Sequence, residues 1–236
     1  INYKQGTVAT GDEALPDPRV HQLGRERTKS RYYVLQPFMD GGDFSNLYSN
    51  VGNDKKRSWA NIPLEDSSAL LNSAISSLFN LHKNGFAHND LHHENIMTMK
   101  RKEGVGDEPG SPPMAYVMDF GRATEEFLVQ EGVEPAFTKA QVADINMMVK
   151  GKPGKAGSLL SVFGRMCVNI NDSYLSKKEK DEAISIISAI KDKLLLTKEG
   201  EPIVAIQADI RDLFIKLDRI LVKEASAAMQ HGRGGL

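Results

Sequence analysis

One stretch constrains this chain more than any other: a helical pattern from about Leu64 to Asn84 runs directly into His88-Asn89-Asp90-Leu91-His92-His93-Glu94-Asn95. Leu71, Ala74, Ile75, Leu78 and Phe79 recur at intervals of three and four, which puts them on one helix face. Gly85 supplies the stop. A buried helix therefore hands the chain over to a polar loop dense in chemistry-bearing side chains.

The rest of the chain falls into order around that pair. Residues 1–30 are polar, are interrupted by Pro16 and Pro18, and read as loop. Tyr32-Tyr33-Val34-Leu35 reads as a strand, Gly41-Gly42 as a turn, Phe44 to Tyr48 as a short amphipathic stretch and residues 53–63 as a polar linker. Ala87–Leu91, Ile96–Met99 and Met114–Met118 are short strand candidates. Between the last two, Arg101 to Pro113 is rich in glycine and proline and must be a surface loop. Helices alone follow. Ser176-Lys177-Lys178-Glu179 is a capping box in front of a helix carrying Ile184, Ile187 and Ile190. A last helix carries Ile206, Ile210, Leu213, Leu217 and Leu221 on one stripe. The expected class is α+β, mainly helical, with short strands beside the polar loops.

Composition excludes several functions. The 236 residues are 40% hydrophobic, enough for one sizeable core. With 30 basic and 31 acidic residues the net charge is -1, so no global field draws the chain to nucleic acid. Cys167 is the only cysteine, which rules out an internal disulfide and fits an intracellular, cytoplasmic setting. No apolar run approaches the ~20 residues of a membrane span. Ile1-Asn2-Tyr3-Lys4 is no signal peptide, and the missing initiator Met makes a piece of a longer chain the expectation.

The polar loop has the parts that phosphoryl transfer requires. That reaction needs one carboxylate to orient the attacking hydroxyl and take its proton, and oxygen donors to hold a metal ion against the phosphates. Asp90 and Asn95 are close enough in one loop to face a single phosphate site. Met118-Asp119-Phe120-Gly121 closes an apolar strand with a second acid beside a glycine, a suitable place for a magnesium ligand. Taken singly, Asp90, Asn95 and Asp119 are also ordinary turn residues. His88, His92 and His93 could be thought of as zinc ligands, but no cysteine or spaced histidine pair completes a tetrahedral set.

These segments resemble the protein-kinase signature. His88 to Asn95 resembles the catalytic loop His-Arg-Asp-x-x-x-x-Asn, and Asp119-Phe120-Gly121 resembles the metal-binding Asp-Phe-Gly. Leu81 to Ala87 reads like the end of the kinase helix that feeds the loop, and Tyr33 to Phe44 like the last small-lobe strand, hinge and next helix. The similarity covers Tyr32 to Ala123. It implies a kinase-like fold with residues 1–35 as a remnant of the small lobe and lead-in to the hinge, and residues 36–236 as the large C-terminal lobe. It implies ATP and Mg2+ as cofactors and a protein Ser/Thr substrate. Asp90 would be the catalytic base, Asn95 and Asp119 the magnesium ligands, and backbone groups near Gln36 and Phe38 the adenine clamp; His88 would pack beneath the loop.

The departures define the alternatives. Asn89 replaces the kinase Arg, so it cannot pair with a phosphorylated activation loop. His92 replaces the usual Lys two residues after the base. As a catalytic cation His92 would have to be protonated, and a nearby phosphate would raise its pKa. Ala-Pro-Glu is absent, with Glu134-Pro135-Ala136-Phe137 a distant substitute, and no Gly-rich loop or Val-Ala-x-Lys strand precedes Tyr32. Asp144 is either a buried anchor of the large lobe or an exposed helix acid. Aminoglycoside and choline phosphotransferases, whose loop favours His-Gly-Asp-Leu-His, offer a second enzyme reading that His92 suits. A pseudokinase scaffold is the third.

Overall fold

A computed structural model of the chain describes residues 3–6, 31–34, 39–47, 62–102, 111–155 and 157–233. The chain divides into Ile1–Phe38 and Met39–Leu236. In the first unit β1 (Tyr3–Gly6) and β2 (Arg31–Val34) pair antiparallel, Tyr3 opposite Val34.

The second unit is α+β and mostly helical. Its helices are α1 (Leu64–Lys83), α2 (Lys139–Lys150), α3 (Leu159–Asp172), α4 (Lys177–Leu196) and α5 (Ile203–Arg233). Every regular element described from Lys139 onward is a helix. No described helix is long and apolar enough to cross a membrane.

α1 is the central beam. Leu71, Ala74, Ile75, Leu78 and Phe79, the face read from the sequence, are all buried. Glu65 and Asp66 in the first turn and Lys83 in the last complement the helix dipole. The apolar face packs into one core with Ile145 and Met148 of α2, Val162 and Met166 of α3, Ile187 and Ile190 of α4, and Ile210, Phe214 and Leu217 of α5. Local signals set the helix starts. Ser176 and Glu179 form both arms of their capping box, and Thr138 with Gln141 forms another ahead of α2.

A three-stranded antiparallel sheet packs beside α1, in the order β3 (Gly42–Asp43), β5 (Ile96–Met99), β6 (Met114–Val117). Ile96 pairs with Val117 and Met99 with Met114. On the side of β6 away from β5, the N–H groups of Ala115 and Val117 donate to Ser73 Oγ (2.8 Å) and Ser77 Oγ (3.0 Å) of α1. Two helix serines thus complete the backbone pairing of an edge strand.

The segment Ala87–Leu91 is not a strand. Only β4 (Phe86–Ala87) is extended and paired, with β7 (Thr124–Glu125). Asn89 then takes a left-handed backbone with φ 63° and turns the chain. Ala87, His88 and Leu91 are buried and Asn89 is exposed, so burial does not alternate as it would in a strand. Gly85 makes the preceding corner at φ 85°, where a Cβ would stand 2.1 Å from the Phe127 carbonyl oxygen.

Candidate active site

The loop after β4 is held from below by one carboxylate. Asp144 of α2 is fully buried. Its Oδ2 accepts from the backbone N–H of His88 (2.6 Å) and its Oδ1 from that of Asn89 (2.8 Å). His82, at the end of α1, donates from Nε2 to the same carboxylate at 3.2 Å. The acid left open in the sequence is therefore the anchor. Gln141, one turn earlier on α2, donates to the carbonyls of His82 (3.0 Å) and Phe86 (3.2 Å). Helix end, loop and α2 are locked into one piece.

The same network brings the two motifs together. His88 is fully buried and donates from Nε2 to the Met118 carbonyl at 2.8 Å, while its Nδ1 accepts from the Asp90 N–H at 3.3 Å. A single neutral tautomer satisfies both bonds. Its ring lies against Phe120, centroids 5.6 Å apart. Met118 N–H in turn donates to the Asn95 carbonyl at 2.8 Å. Both backbone groups of the residue before Asp119 are thereby tied to the 88–95 loop. Asn95 donates its side-chain amide to the Asp90 carbonyl at 3.0 Å, which leaves Asn95 Oδ1 as its acceptor atom.

Asp119 is exposed and sits in the left-handed region at φ 59°. Its carboxylate accepts from Gly121 N–H at 3.4 Å. A non-glycine residue in that region costs about 1–3 kcal/mol and tends to accompany function. The Asn89 side chain is a donor here: Nδ2 donates to the Arg122 carbonyl (3.2 Å) and to Thr124 Oγ1 (2.8 Å). Neutral hydrogen bonds join the loop to the segment after Gly121.

Two lysines arrive from a place the sequence did not single out. Lys152 Nζ is ion-paired with Asp90 Oδ1, and Lys155 Nζ with Glu94 Oε2 at 2.6 Å. Arg122 Nε adds a longer contact of 3.5 Å to Asp90 Oδ2. Both lysines belong to Gly151-Lys152-Pro153-Gly154-Lys155-Ala156-Gly157, directly after α2. Gly151, Gly154 and Gly157 all have positive φ, and a Cβ on Gly151 would stand 2.7 Å from the Gly157 carbonyl oxygen. Only glycine closes so tight a neck. Three glycines and two lysines in seven residues were the available signal. The hydrogen bond from Lys152 holds the Asp90 carboxyl below the usual carboxylate range, so Asp90 is ionised at neutral pH.

The histidines play other parts than a zinc set. His88 and His93 each commit Nε2 to a backbone carbonyl, His93 to Met148 at 3.3 Å. Among the described residues no group of three or more His, Cys, Asp or Glu stands together as a metal site. His92 is buried, and that burial, followed by the charge of Lys155, holds its pKa below the ordinary histidine value. A phosphate beside the ring would act in the opposite direction. Gln36 and Phe38, expected at the adenine, lie outside the described residues.

Burial also lowers the pKa of His82, against its bond to Asp144, and takes His93 from 6.5 to about 4. In the unfolded chain these rings protonate near 6.5. Below that pH the unfolded state binds more protons than the native one, so stability is full above about 6.5 and is lost progressively toward 4. The expected result is a thermal midpoint that falls between pH 7 and pH 4. A midpoint flat over that range would mean that these rings are not buried neutral.

No protein-family model matches this chain, and no curated protein matches it.

Proposed function

We propose that this chain is the larger lobe of a protein-kinase-like phosphotransferase that moves the γ-phosphate of ATP to a hydroxyl, with a Ser or Thr of a protein as the favoured acceptor. One observation carries this: Asp144 grips the backbone of His88 and Asn89 from inside the core, and bonds from Asn95 and Met118 tie the Asp90 loop to the residue before Asp119. A turn that merely connected elements would not need a fully buried carboxylate beneath it.

The donor chemistry fits a magnesium-bound nucleotide. Mg2+ takes hard oxygen ligands, typically one or two from the protein with the remainder from phosphates and water. Asn95 Oδ1 and the exposed Asp119 carboxylate are such a set. When bound, the ion neutralises phosphate charge and orients the transferring group. Asp90 orients the acceptor hydroxyl and receives its proton as the oxygen attacks Pγ, while the bond from Pγ to the bridging oxygen breaks and ADP leaves with the electron pair. An ionised Asp90 with a lowered pKa is a weak base, which suits a loose transition state in which the proton leaves late.

Small-molecule phosphotransfer is the second reading. His92 favours it, as does the short run of residues 122–138 between the Asp-Phe-Gly segment and α2, which contains no described helix beyond its first 3-10 turn. Phosphorylation assays with protein and aminoglycoside or choline acceptors distinguish the two. Either enzyme belongs with an intracellular, cytoplasmic setting, where ATP is available.

Asp119→Ala tests the assignment against a scaffold. Losing the exposed carboxylate should weaken magnesium-dependent ATP binding by more than about tenfold, roughly 1.4 kcal/mol. Calorimetry with and without magnesium measures it. Equal magnesium-ATP affinity in wild type and variant would leave the scaffold as the better description.

A further inference from the structure

We infer that Lys152, carried on the closed loop after α2, is the cation that holds the transferring phosphate. This rests on the phosphotransferase reading above. The position two residues after the base, where a kinase places its lysine, is occupied here by a buried histidine. Lys152 brings an ammonium to the same carboxylate from 62 positions further along the chain.

The geometry suits that work. Lys152 Nζ spends one donor on Asp90 Oδ1, and an ammonium has three. The others are available to oxygens that arrive beside Asp90, which is where the attacked phosphorus must sit. The side chain of Lys152 is 30% exposed, so it is reachable from solvent while its base is fixed by the Gly151–Gly157 neck. Lys155 pins the far side of the loop to Glu94. A lysine that only neutralised a surface acid would need neither a closed loop nor a second anchor, since an exposed ion pair contributes little stability. In the transfer itself the acceptor oxygen bonds to Pγ, the bridging oxygen departs with ADP, and the proton passes to Asp90. Throughout, the ammonium of Lys152 stays charged and donates to γ-phosphate oxygens as their charge redistributes.

The test compares wild type with Lys152→Ala, Lys152→Arg and Lys155→Ala. Calorimetry gives the affinities for magnesium-ATP and magnesium-ADP, and steady-state assays give kcat and KM. If Lys152 touches the γ-phosphate, Lys152→Ala lowers the ATP-to-ADP affinity ratio by about tenfold. It also lowers kcat by about 10²-fold, the usual effect of removing one donor to developing charge. Lys152→Arg keeps the charge and recovers most of both, whereas Lys155→Ala leaves the affinity ratio unchanged. An unchanged ratio in Lys152→Ala, with wild-type binding and turnover intact, overturns the assignment of Lys152 and leaves the phosphotransferase standing. Equal losses in Lys152→Ala and Lys155→Ala, with no change in ratio, also overturn it, since the loop would then act only as a brace. Absence of both nucleotide binding and turnover in the complete wild-type protein, small lobe included, overturns the enzyme reading itself. Thermal midpoints within a few degrees of wild type confirm that each variant is folded.

Discussion

Asp90→Asn should lower phosphoryl transfer by about 10²–10⁴-fold, the usual worth of a general base, with little change in stability. The substitution keeps the shape and removes the proton acceptor. The side chain of Asp90 is 19% exposed and is ion-paired with Lys152 and Arg122. What organises the loop is the Asp90 backbone, whose N–H goes to His88 and whose carbonyl receives Asn95, and neither bond involves the carboxylate. The loss should therefore fall on kcat, with the KM for ATP near the wild-type value. Initial rates at saturating magnesium-ATP, beside a thermal melt, measure both halves. Turnover like that of wild type would remove Asp90 from the chemistry.

Asp144→Ala should have the opposite signature, with a large loss of stability that carries activity down with it. Three donors converge on this carboxylate: the backbone N–H groups of His88 and Asn89 and the ring of His82. Each buried donor left without an acceptor costs about 1–3 kcal/mol. Removing one member of a buried charged network costs about 3–5 kcal/mol. At about 2–4 °C per kcal/mol for a chain of this size, the thermal midpoint should fall by roughly 10 °C. Asp144→Asn retains one carbonyl oxygen but turns an NH2 group toward a donor, so it should recover only part. A melt of Asp144→Ala within two or three degrees of wild type, marked by the same about 2–4 °C scale, would show that the loop is held by other means.

What was legible in the sequence is what local rules determine. The apolar face of α1, the capping box at Ser176 and the strand at Ile96–Met99 each depend on residues within a few positions of one another. Asp90, Asn95 and Asp119 were singled out from the spacing within one loop and the end of one strand. Asp144 could not be resolved between anchor and surface acid, because its partners stand 55–62 positions away and burial is decided by them. Ala87–Leu91 was read as a short strand, but the left-handed backbone at Asn89 turns the chain there. Lys152 was missed for a similar reason. A loop that closes on itself can deliver a side chain at any sequence distance, so no fixed spacing from Asp90 announces it. His92 was singled out as the residue at the position of the kinase lysine, and its burial lowers its pKa.

The serines of α1 have a consequence beyond the site. An edge strand with unpaired N–H groups is a template onto which another chain can add, and a sheet of three short strands has little else to discourage that. Ser73 and Ser77 occupy the donors of Ala115 and Val117, and Ser73 passes its own proton to the Ala69 carbonyl at 2.8 Å. The helix thus ends the ladder at β6. Along that border the sheet offers a neighbouring molecule no row of free donors, and growth by strand addition, the first step toward aggregation, is blocked by two hydroxyl groups.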